Sequence, residues 1–333
     1  MPKALQTVNA SELAPLRDSA GLIDRSDVGR LDISGADALD LLNRLTTNKL
    51  EELLDGQGLV TVVTNGDARV IDFIALGALD GKMLCLTSPG HVERVVDWLD
   101  TYTFAEEISV VDRTAETFQL TIAGPNAAHV LSVAGAPVAG MGLYALETVV
   151  IARRHVVVWR MLTGGEDGYE IIGDKPTLES IREALVGAGA VPVSDEAWEA
   201  YRIANGMPAA EAEFGAFANP LESGLLGAIS DDKGCFTGQE VIARLQTYDK
   251  VQRRLMAVAI TGSAKAGDRL QADGGSAGVL TSVIALGGAS IGLALVSARH
   301  ANAGAVLDIA SSDGPSVKAT LSEPRYPLQL AAG

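Results

Sequence analysis

One short stretch of the chain combines residues that could do covalent or redox chemistry. It reads KGCFTGQEVIAR from Lys233 and contains one of only two cysteines among 333 residues. The lysine and glycines predict an exposed turn, and GQEVIARL predicts a helix, so the Cys235 thiol would lie near a helix N-terminus. A cation and a helix N-terminus favour the thiolate, whereas Asp231 and Asp232 oppose it. Cys235 is therefore a candidate reactive or ligand-accepting thiol, and the alternative is a small buried hydrophobe.

A carboxylate in the first third of the chain is the second candidate for chemistry. Asp72 lies in the run RVIDF, where strand alternation places Val70 and Asp72 on one face and Ile71 and Phe73 on the other. A carboxylate that shares a face with valine lies either in solvent at a strand end or in a pocket. The residues alone leave both alternatives open.

The remaining cysteine and the histidines have simpler interpretations. Cys85 lies in the apolar run MLCLT and is predicted to be a buried strand residue. The histidines are scattered and have no partner at metal-ligand spacing, so we expect surface or helix-terminal residues and no metal site. They are His91, His129, His155 and His300.

Composition and charge limit the classes of partner. A net charge of -16 repels nucleic-acid backbones, so no nucleic-acid partner is expected. The first residues have neither the apolar core of a signal peptide nor the composition of a transit peptide, and two cysteines suit a reducing cytoplasm. The uncharged stretch 274–298 is long enough to span a bilayer. Its short β-branched runs joined by Gly-Gly predict a β-hairpin instead, and no membrane partner is expected.

The chain divides into three consecutive segments with different patterns of predicted helices and strands, and these elements must position the candidate residues. Residues 1–113 mix helices in GADALDLLNRLTTN and HVERVVDWLDTYT with alternating strands, and residues 114–247 repeat such a mixture. Residues 248–333 contain short strands, starting near RRLMAVAI, with Gly, Asp-Gly and Pro turns, which are typical of a small β-barrel or sandwich. The sequence predicts an α+β protein with three domains at these boundaries.

Several segments, taken in order, resemble the glycine-cleavage T-protein (aminomethyltransferase) superfamily. They are GLIDRSDVGRLDISG at 21, TNGDARVID at 64, AGPNA at 123, and GVLTS followed by GASIGLALV at 278. KGCFTGQE resembles the signature of the YgfZ-type folate-binding branch, which is associated with assembly or repair of iron-sulfur clusters. The resemblance covers about residues 20–325 and implies a three-domain cloverleaf with two α+β folate-binding units and a C-terminal β-barrel.

The resemblance also assigns candidate contacts to tetrahydrofolate. Asp72 matches the family's acidic residue at the folate nitrogen where one-carbon transfer occurs, and would accept pterin N–H groups and stabilise developing positive charge. Tyr169 and Glu170, in DGYEI, and Glu213 match further family positions; the alternatives are structural strand residues for Tyr169 and Glu170 and a solvated loop acid for Glu213. Ala204 stands where the family has a glutamate that holds the pterin ring, which is a departure from the aminomethyltransferase pattern.

Two basic residues complete the candidate set. Lys233 of the signature is a candidate for folate binding beside Cys235. Arg244 lies in the densest basic segment, with Lys250, Arg253 and Arg254, and could accept the anionic glutamate tail of folate. The alternative for this segment is a solvated entry to the barrel.

The candidate residues and the family resemblance together lead us to expect one of two functions. The first is a cytoplasmic tetrahydrofolate-binding accessory protein, whose partners are iron-sulfur proteins or their assembly factors, with Cys235 and the folate site acting together. The alternative is a folate-dependent aminomethyltransferase in which Asp72 is the key carboxylate. The sequence does not give the oligomeric state.

Overall fold

The computed structural model describes residues 7–310 and 317–326 and shows a mixture of helices and mainly antiparallel sheets. The α-helices are α1 (Ala14–Asp18), α2 (Ala38–Leu45), α3 (Val92–Thr101), α4 (Ala127–Val133), α5 (Leu178–Gly187), α6 (Asp195–Asn205) and α7 (Gln239–Thr247). The strands are β1 (Thr7–Val8), β2 (Gly21–Asp24), β3 (Gly29–Ser34), β4 (Gly58–Thr64), β5 (Val70–Leu79), β6 (Lys82–Thr87), β7 (Ser109–Asp112), β8 (Thr117–Ala123), β9 (Leu146–Ile151), β10 (Arg154–Thr163), β11 (Glu166–Asp174), β12 (Val191–Pro192), β13 (Arg253–Thr261), β14 (Arg269–Ala272), β15 (Gly275–Leu286), β16 (Ala289–Ser297), β17 (Val306–Ile309) and β18 (Val317–Ser322). Of the strand pairs, β1–β15 and β12–β2 are parallel.

One compact unit, called here the two-sheet unit, comprises residues 14–193 and 228–239. Its five-stranded sheet has the order β4-β5-β6-β3-β7, and its six-stranded sheet has the order β12-β2-β8-β11-β10-β9. Helices α2 and α3 bury leucines and valines against the first sheet, and α4 and α5 cover one face of the second. Each sheet therefore has one face filled by helices, as expected for an α+β architecture.

The second compact unit, called here the barrel unit, comprises residues 194–227 and those from 240 onward, with the first described residues of the chain. Strands β13 to β18 form a closed ring in the order β15-β14-β17-β18-β13-β16, because β16 also pairs with β15. Closure removes sheet edges, and the inward side chains fill the interior with alanine, valine, leucine and isoleucine. Helix α6 begins after Ser194, whose hydroxyl accepts the Ala197 N–H, and ends at Gly206 in the left-handed conformation.

Several sequence predictions are confirmed by this architecture. The chain is α+β with a C-terminal β-barrel, and the predicted helices in the first third are α2 and α3. The uncharged stretch forms the hairpin β15–β16, in which Leu286 pairs with Ala289 across Gly287 and Gly288. Both glycines have positive φ, which a two-residue hairpin turn of this hand requires. Among the described residues no helix combines the length and apolar character needed to cross a membrane.

The predicted domain boundaries at 113/114 and 247/248 remain a prediction. The two α+β sheets form one compact unit, and β2, from the first predicted segment, pairs with β8 of the second. Residues 228–239, which carry the signature KGCFTGQ, also join the two-sheet unit although they directly precede the barrel in sequence.

Candidate functional site

Asp72 is buried within the five-stranded sheet, as the third residue of β5, rather than exposed to solvent at a strand end. On β5 it pairs with Val63 of β4. By strand alternation its side chain lies on the same face as Ile74 and Leu76, which pack into the core beneath α2 and α3. Asp72 is completely buried. The structure therefore answers the question that the sequence left open: this carboxylate is enclosed, on the helix-covered face of the sheet.

Three donors surround the Asp72 carboxylate. Oδ1 accepts the N–H of Phe73 at 2.9 Å and contacts Nδ1 of His91 at 3.1 Å, and Oδ2 accepts the N–H of Ser88 at 2.9 Å. Hydrogen bonds of this kind stabilise a negative charge in a buried site. The turn 88–91, between β6 and α3, therefore contributes two of the three groups that hold the buried carboxylate.

His91 is a helix-terminal histidine, as expected, but it is buried rather than at the surface. It is only 5% exposed and immediately precedes α3, where its imidazole contacts Asp72. The sequence contained a signal for the turn in Ser-Pro-Gly before HVERVVDWL. It contained none for the partner, because Asp72 lies 19 residues earlier on another strand.

The ammonium of Lys233 is used to cap a helix within the two-sheet unit. Its Nζ donates to the carbonyls of Asn43, Thr46 and Asn48 at 2.7, 2.7 and 2.6 Å. These carbonyls lie at the C-terminal end of α2, where backbone acceptors lack helical partners and a cation is favourable. Burial lowers the pKa of Lys233 to about 8, while the charge of Glu51 raises it. These carbonyls use all three donors of the ammonium, and Lys233 as a folate contact remains a prediction.

The end of the signature docks on the hairpin that leads into β5. Thr237 N–H donates to the carbonyl of Arg44, and Thr64 Oγ1 donates to the carbonyl of Thr237 at 2.6 Å. Gly238 has φ +85°, and a Cβ there would lie 2.8 Å from the carbonyl oxygen of Asn65. Only glycine combines this conformation with so close an approach. The signature thus fixes the position of the β4–β5 hairpin, from which Asp72 follows.

The two cysteines have opposite environments. Cys235 is exposed on the signature loop, four residues before α7 begins at Gln239. The nearby Lys233 ammonium is directed at backbone carbonyls and lies 5.4 Å from the ring centroid of Phe236. Cys85 is fully buried in β6, as predicted, and burial raises the pKa of its thiol. Cys235 alone is therefore accessible to a reagent or partner.

Tyr169 and Glu170, neighbours on β11, face opposite sides of the six-stranded sheet. Tyr169 packs into the core beneath α4 and α5. It also lines a cleft of about 440 Å³ together with Gly124, Pro125, Ala128, Leu162, Gly165, Glu166 and Asp167. Burial raises the pKa of the Tyr169 phenol. As a folate contact Tyr169 remains a prediction, and its ring lies on the helix-covered face.

Glu170 is enclosed by polar side chains of the adjacent strand. Its Oε2 accepts Nε2 of Gln119 at 2.8 Å and Oγ1 of Thr121 at 2.6 Å. Burial raises the pKa of this carboxyl, while these two hydrogen bonds and the charge of Arg25 lower it. Sequence reasoning did not select Glu170 over Tyr169, because both match the family pattern and only strand alternation separates their faces.

The other candidates lie in the barrel unit. Glu213 is fully buried and is not a solvated loop acid: Oε1 accepts Thr281 and Ser282 hydroxyls at 2.6 and 2.7 Å, and Oε2 contacts Nη1 of Arg202 at 3.2 Å. Arg244 is exposed on α7, and Ala204 is exposed on α6. Both Glu213 and Arg244 remain predictions as folate contacts, and the bonds of Glu213 link α6 to β15.

The described residues contain no group of three or more histidines, cysteines or acids arranged to hold a metal ion. The structure brings Lys233 and Cys235 onto one loop that docks beside the Asp72 strand. Tyr169 lies on the helix-covered face of the six-stranded sheet, and Glu213 and Arg244 belong to the barrel unit.

Comparisons with known proteins identify relatives over most of the chain. Residues 2–233 match the family model described as the GCVT N-terminal domain. A chloroplastic "Putative transferase" of Arabidopsis thaliana is 30% identical over 314 residues, which cover 92% of this chain and 71% of the relative. An aminomethyltransferase of Halalkalibacterium halodurans is 28% identical over 305 residues, covering 87% and 82%.

The fold has a counterpart among solved structures. The glycine cleavage system aminomethyltransferase T of Bartonella henselae superposes with a TM-score of 0.84 at 21% identity, covering 95% of this chain and 89% of that one. At this identity the likeness shows the fold alone. The predicted superfamily is confirmed, whereas the YgfZ-type branch stays a prediction. With most of its length matched, the chain belongs to the GCVT family of glycine-cleavage T-protein domains.

Proposed function

We propose that the protein binds tetrahydrofolate and uses it in one-carbon transfer of the aminomethyltransferase type. The observation that supports this most directly is the Asp72 carboxylate, which matches the family's acid and is held by three hydrogen-bond donors. Relatives with the name aminomethyltransferase cover most of the chain. Tetrahydrofolate would supply the amine nitrogens that carry the one-carbon unit.

Asp72 would act as an electrostatic stabiliser in this reaction. A carboxylate placed at the reacting amine can accept its N–H and stabilise positive charge that develops during transfer. Because Asp72 is completely buried and the turn 88–91 bonds both of its oxygens, this role in our proposal requires the turn to open. Transfer is therefore coupled, in this proposal, to movement of the β6–α3 connection.

Calorimetric titration with tetrahydrofolate under anaerobic, reducing conditions tests binding first. We expect one site with micromolar affinity, measured at two temperatures so that a vanishing enthalpy is not mistaken for absence of binding. Asp72→Asn should then abolish transfer, measured as methylene-tetrahydrofolate formed from an aminomethyl donor. Asp67→Asn, an exposed acid in the same hairpin, is the matched control and should keep full activity. No heat at either temperature would refute folate binding.

A second candidate function is an accessory role in iron-sulfur cluster assembly or repair, in a cytoplasmic setting. The specific observation in its favour is the exposed Cys235 on the signature loop, because aminomethyl transfer as proposed needs no thiol. One thiol cannot hold a cluster alone, so the partner would be an iron-sulfur protein or assembly factor that supplies the other ligands.

Cys235→Ser separates the two functions. In cells that depend on this protein, the variant should lower the activity of iron-sulfur enzymes while leaving tetrahydrofolate binding unchanged, and Cys85→Ala, at the buried cysteine, should leave both unchanged. Normal maturation in Cys235→Ser cells, together with loss of transfer in Asp72→Asn, would leave only the transferase function.

A further inference from the structure

The imidazole of His91 contacts the carboxylate that the proposed function places at the reacting amine. Its Nδ1 lies 3.1 Å from Oδ1 of Asp72, and the two side chains are 6% and 0% exposed. Because both groups are buried, water screens this contact little, and a hydrogen bond to an ionised group is strong in such surroundings. His91 can therefore influence the chemistry of Asp72 without touching the substrate.

The ionised state of Asp72 determines which nitrogen of His91 carries hydrogen. An ionised carboxylate only accepts hydrogen bonds, so the hydrogen between the two side chains belongs to Nδ1. The charge of Asp72 also acts within the core: burial raises the pKa of the Cys85 thiol, and the Asp72 charge raises it further. Since Ile74 and Leu76 share this face of the sheet, each donor to Asp72 stabilises a charge in largely apolar surroundings.

The two oxygens of Asp72 are held by different parts of the fold. Oδ1 accepts the N–H of Phe73 on β5 and faces Nδ1 of His91. His91 immediately precedes α3, and its carbonyl accepts the N–H of Val95, which packs in the core and anchors the start of the helix. Oδ2 accepts the N–H of Ser88, in the connection between β6 and α3. Opening of this connection would therefore free Oδ2 while Oδ1 stays bonded.

We propose that His91 is a positioning residue for Asp72: its Nδ1–H holds Oδ1, so that Oδ2 is the oxygen that accepts the N–H of the folate amine. This inference rests on the proposed one-carbon transfer and names the oxygen that acts and the group that orients it. His91 transfers no proton and forms no bond to the substrate. It fixes the carboxylate and stabilises its charge, which lowers the barrier when positive charge develops on the amine.

Substitution of His91 by leucine and by asparagine tests this role against a purely structural bond between α3 and the sheet. Leucine has a similar size but no donor, whereas asparagine places an amide N–H near the position of Nδ1. His91→Leu should lower kcat for transfer at least about tenfold, as expected for loss of one hydrogen bond to a charged group. Its Kd for tetrahydrofolate should change less than about threefold, because the interaction acts in the transition state.

Two further variants complete the kinetic test. His91→Asn should recover kcat to within about threefold of the wild type, because it restores the donor. His129→Leu, at an exposed histidine of α4, is the matched control and should change neither kcat nor Kd. Equal losses of kcat in His91→Asn and His91→Leu would overturn the inference, because a donor at this position would then have no effect.

Nitrogen-15 NMR of the histidine-labelled wild type gives a readout that does not depend on catalysis. At about pH 8, where an ordinary imidazole is neutral, the His91 ring should carry its hydrogen on Nδ1. Its signals are those missing from the spectrum of labelled His91→Asn. A ring with hydrogen on Nε2 and a bare Nδ1 would mean that Asp72 is the donor, which contradicts the inference.

The outcomes separate this inference from the function on which it rests. Wild-type protein that binds tetrahydrofolate but transfers no one-carbon unit would exclude the transferase function, and the positioning role would be lost with it. Wild-type transfer together with a His91→Leu kcat within about twofold, in a variant that circular dichroism shows to be folded, would exclude only the role of His91. If His91→Leu does not fold, kcat of His91→Asn and the wild-type tautomer decide by the same criteria.

Discussion

Replacement of Lys233 by methionine tests whether the signature loop is held by a helix cap. Methionine has a similar length and fits a buried site, but it cannot donate to the carbonyls of Asn43, Thr46 and Asn48. The variant therefore removes one charge and three hydrogen bonds with little change in volume. We expect the two-sheet unit to lose stability and the loop 228–239 to lose its anchor on α2.

The magnitude follows from two opposing effects. Each buried carbonyl left without a donor costs about 1–3 kcal/mol, and the favourable charge at the C-terminus of α2 contributes about 0.3–1 kcal/mol more. Methionine recovers the cost of burying an ammonium, which is several kcal/mol. We expect a net loss of about 2–4 kcal/mol in the free energy of unfolding, because water can hydrogen-bond only some of the carbonyls that lose the ammonium.

Urea denaturation at pH 7 measures this loss through tryptophan fluorescence, to which Trp98 and Trp159 of the two-sheet unit and Trp198 of the barrel unit contribute. Hydrogen exchange should show reduced protection in residues 228–239. Lys82→Met is the matched control, because Lys82 pairs with Asp32 at the surface at 3.5 Å and its loss should cost under about 1 kcal/mol. A Lys233→Met protein as stable as Lys82→Met, with unchanged exchange, would show that the cap contributes nothing.

Three further outcomes follow from the same unit. Gly238→Ala, forced into positive φ against a backbone carbonyl, should lower stability by about 1–3 kcal/mol in thermal denaturation, whereas Gly234→Ala, with open space around its Cβ, should cost under about 1 kcal/mol. A thiol reagent should modify Cys235 rapidly in the folded protein and Cys85 only after denaturation. Equal rates in the folded protein would contradict the exposure of Cys235 and the burial of Cys85. Because burial raises the pKa of Glu170, the folded state binds more protons than the unfolded one above about pH 4.3. Stability should therefore fall as pH rises from 4 to 7 more steeply in the wild type than in Glu170→Gln, and parallel curves would refute this.

Local patterns in the sequence were sufficient where the relevant partners are close along the chain. Alternation and Gly-Gly predicted the β15–β16 hairpin, helical spacing predicted α2 and α3, and the start of α7 lies one or two residues beyond the position expected from the signature. The apolar run around Cys85 predicted its burial. In each case the determining interactions are between neighbours in sequence or on one element.

The sequence was insufficient where polar partners come from distant segments. Lys233 looked like an exposed cation beside a thiol, but its acceptors lie 185–190 residues earlier. Glu213 looked like a loop acid, but Arg202 and the bulge near Ser282 enclose it. His91 has its partner on another strand. A single sequence shows no signal for such pairs, because burial of a charge depends on which donors the fold brings to it.

Some residues of the signature hold the loop in place, and one is exposed. Lys233, Thr237 and Gly238 contact α2 and the β4–β5 hairpin. Cys235, between them, is exposed. A signature match therefore predicts primarily that this loop docks beside the strand of Asp72. The one reactive group that the loop exposes is the thiol of Cys235. Lys233→Met and Cys235→Ser should consequently have separable effects: the first acts through stability and loop protection, and the second leaves both unchanged. If Cys235→Ser destabilised the fold as much as Lys233→Met, the thiol would be a packing residue and the accessory function would lose its support.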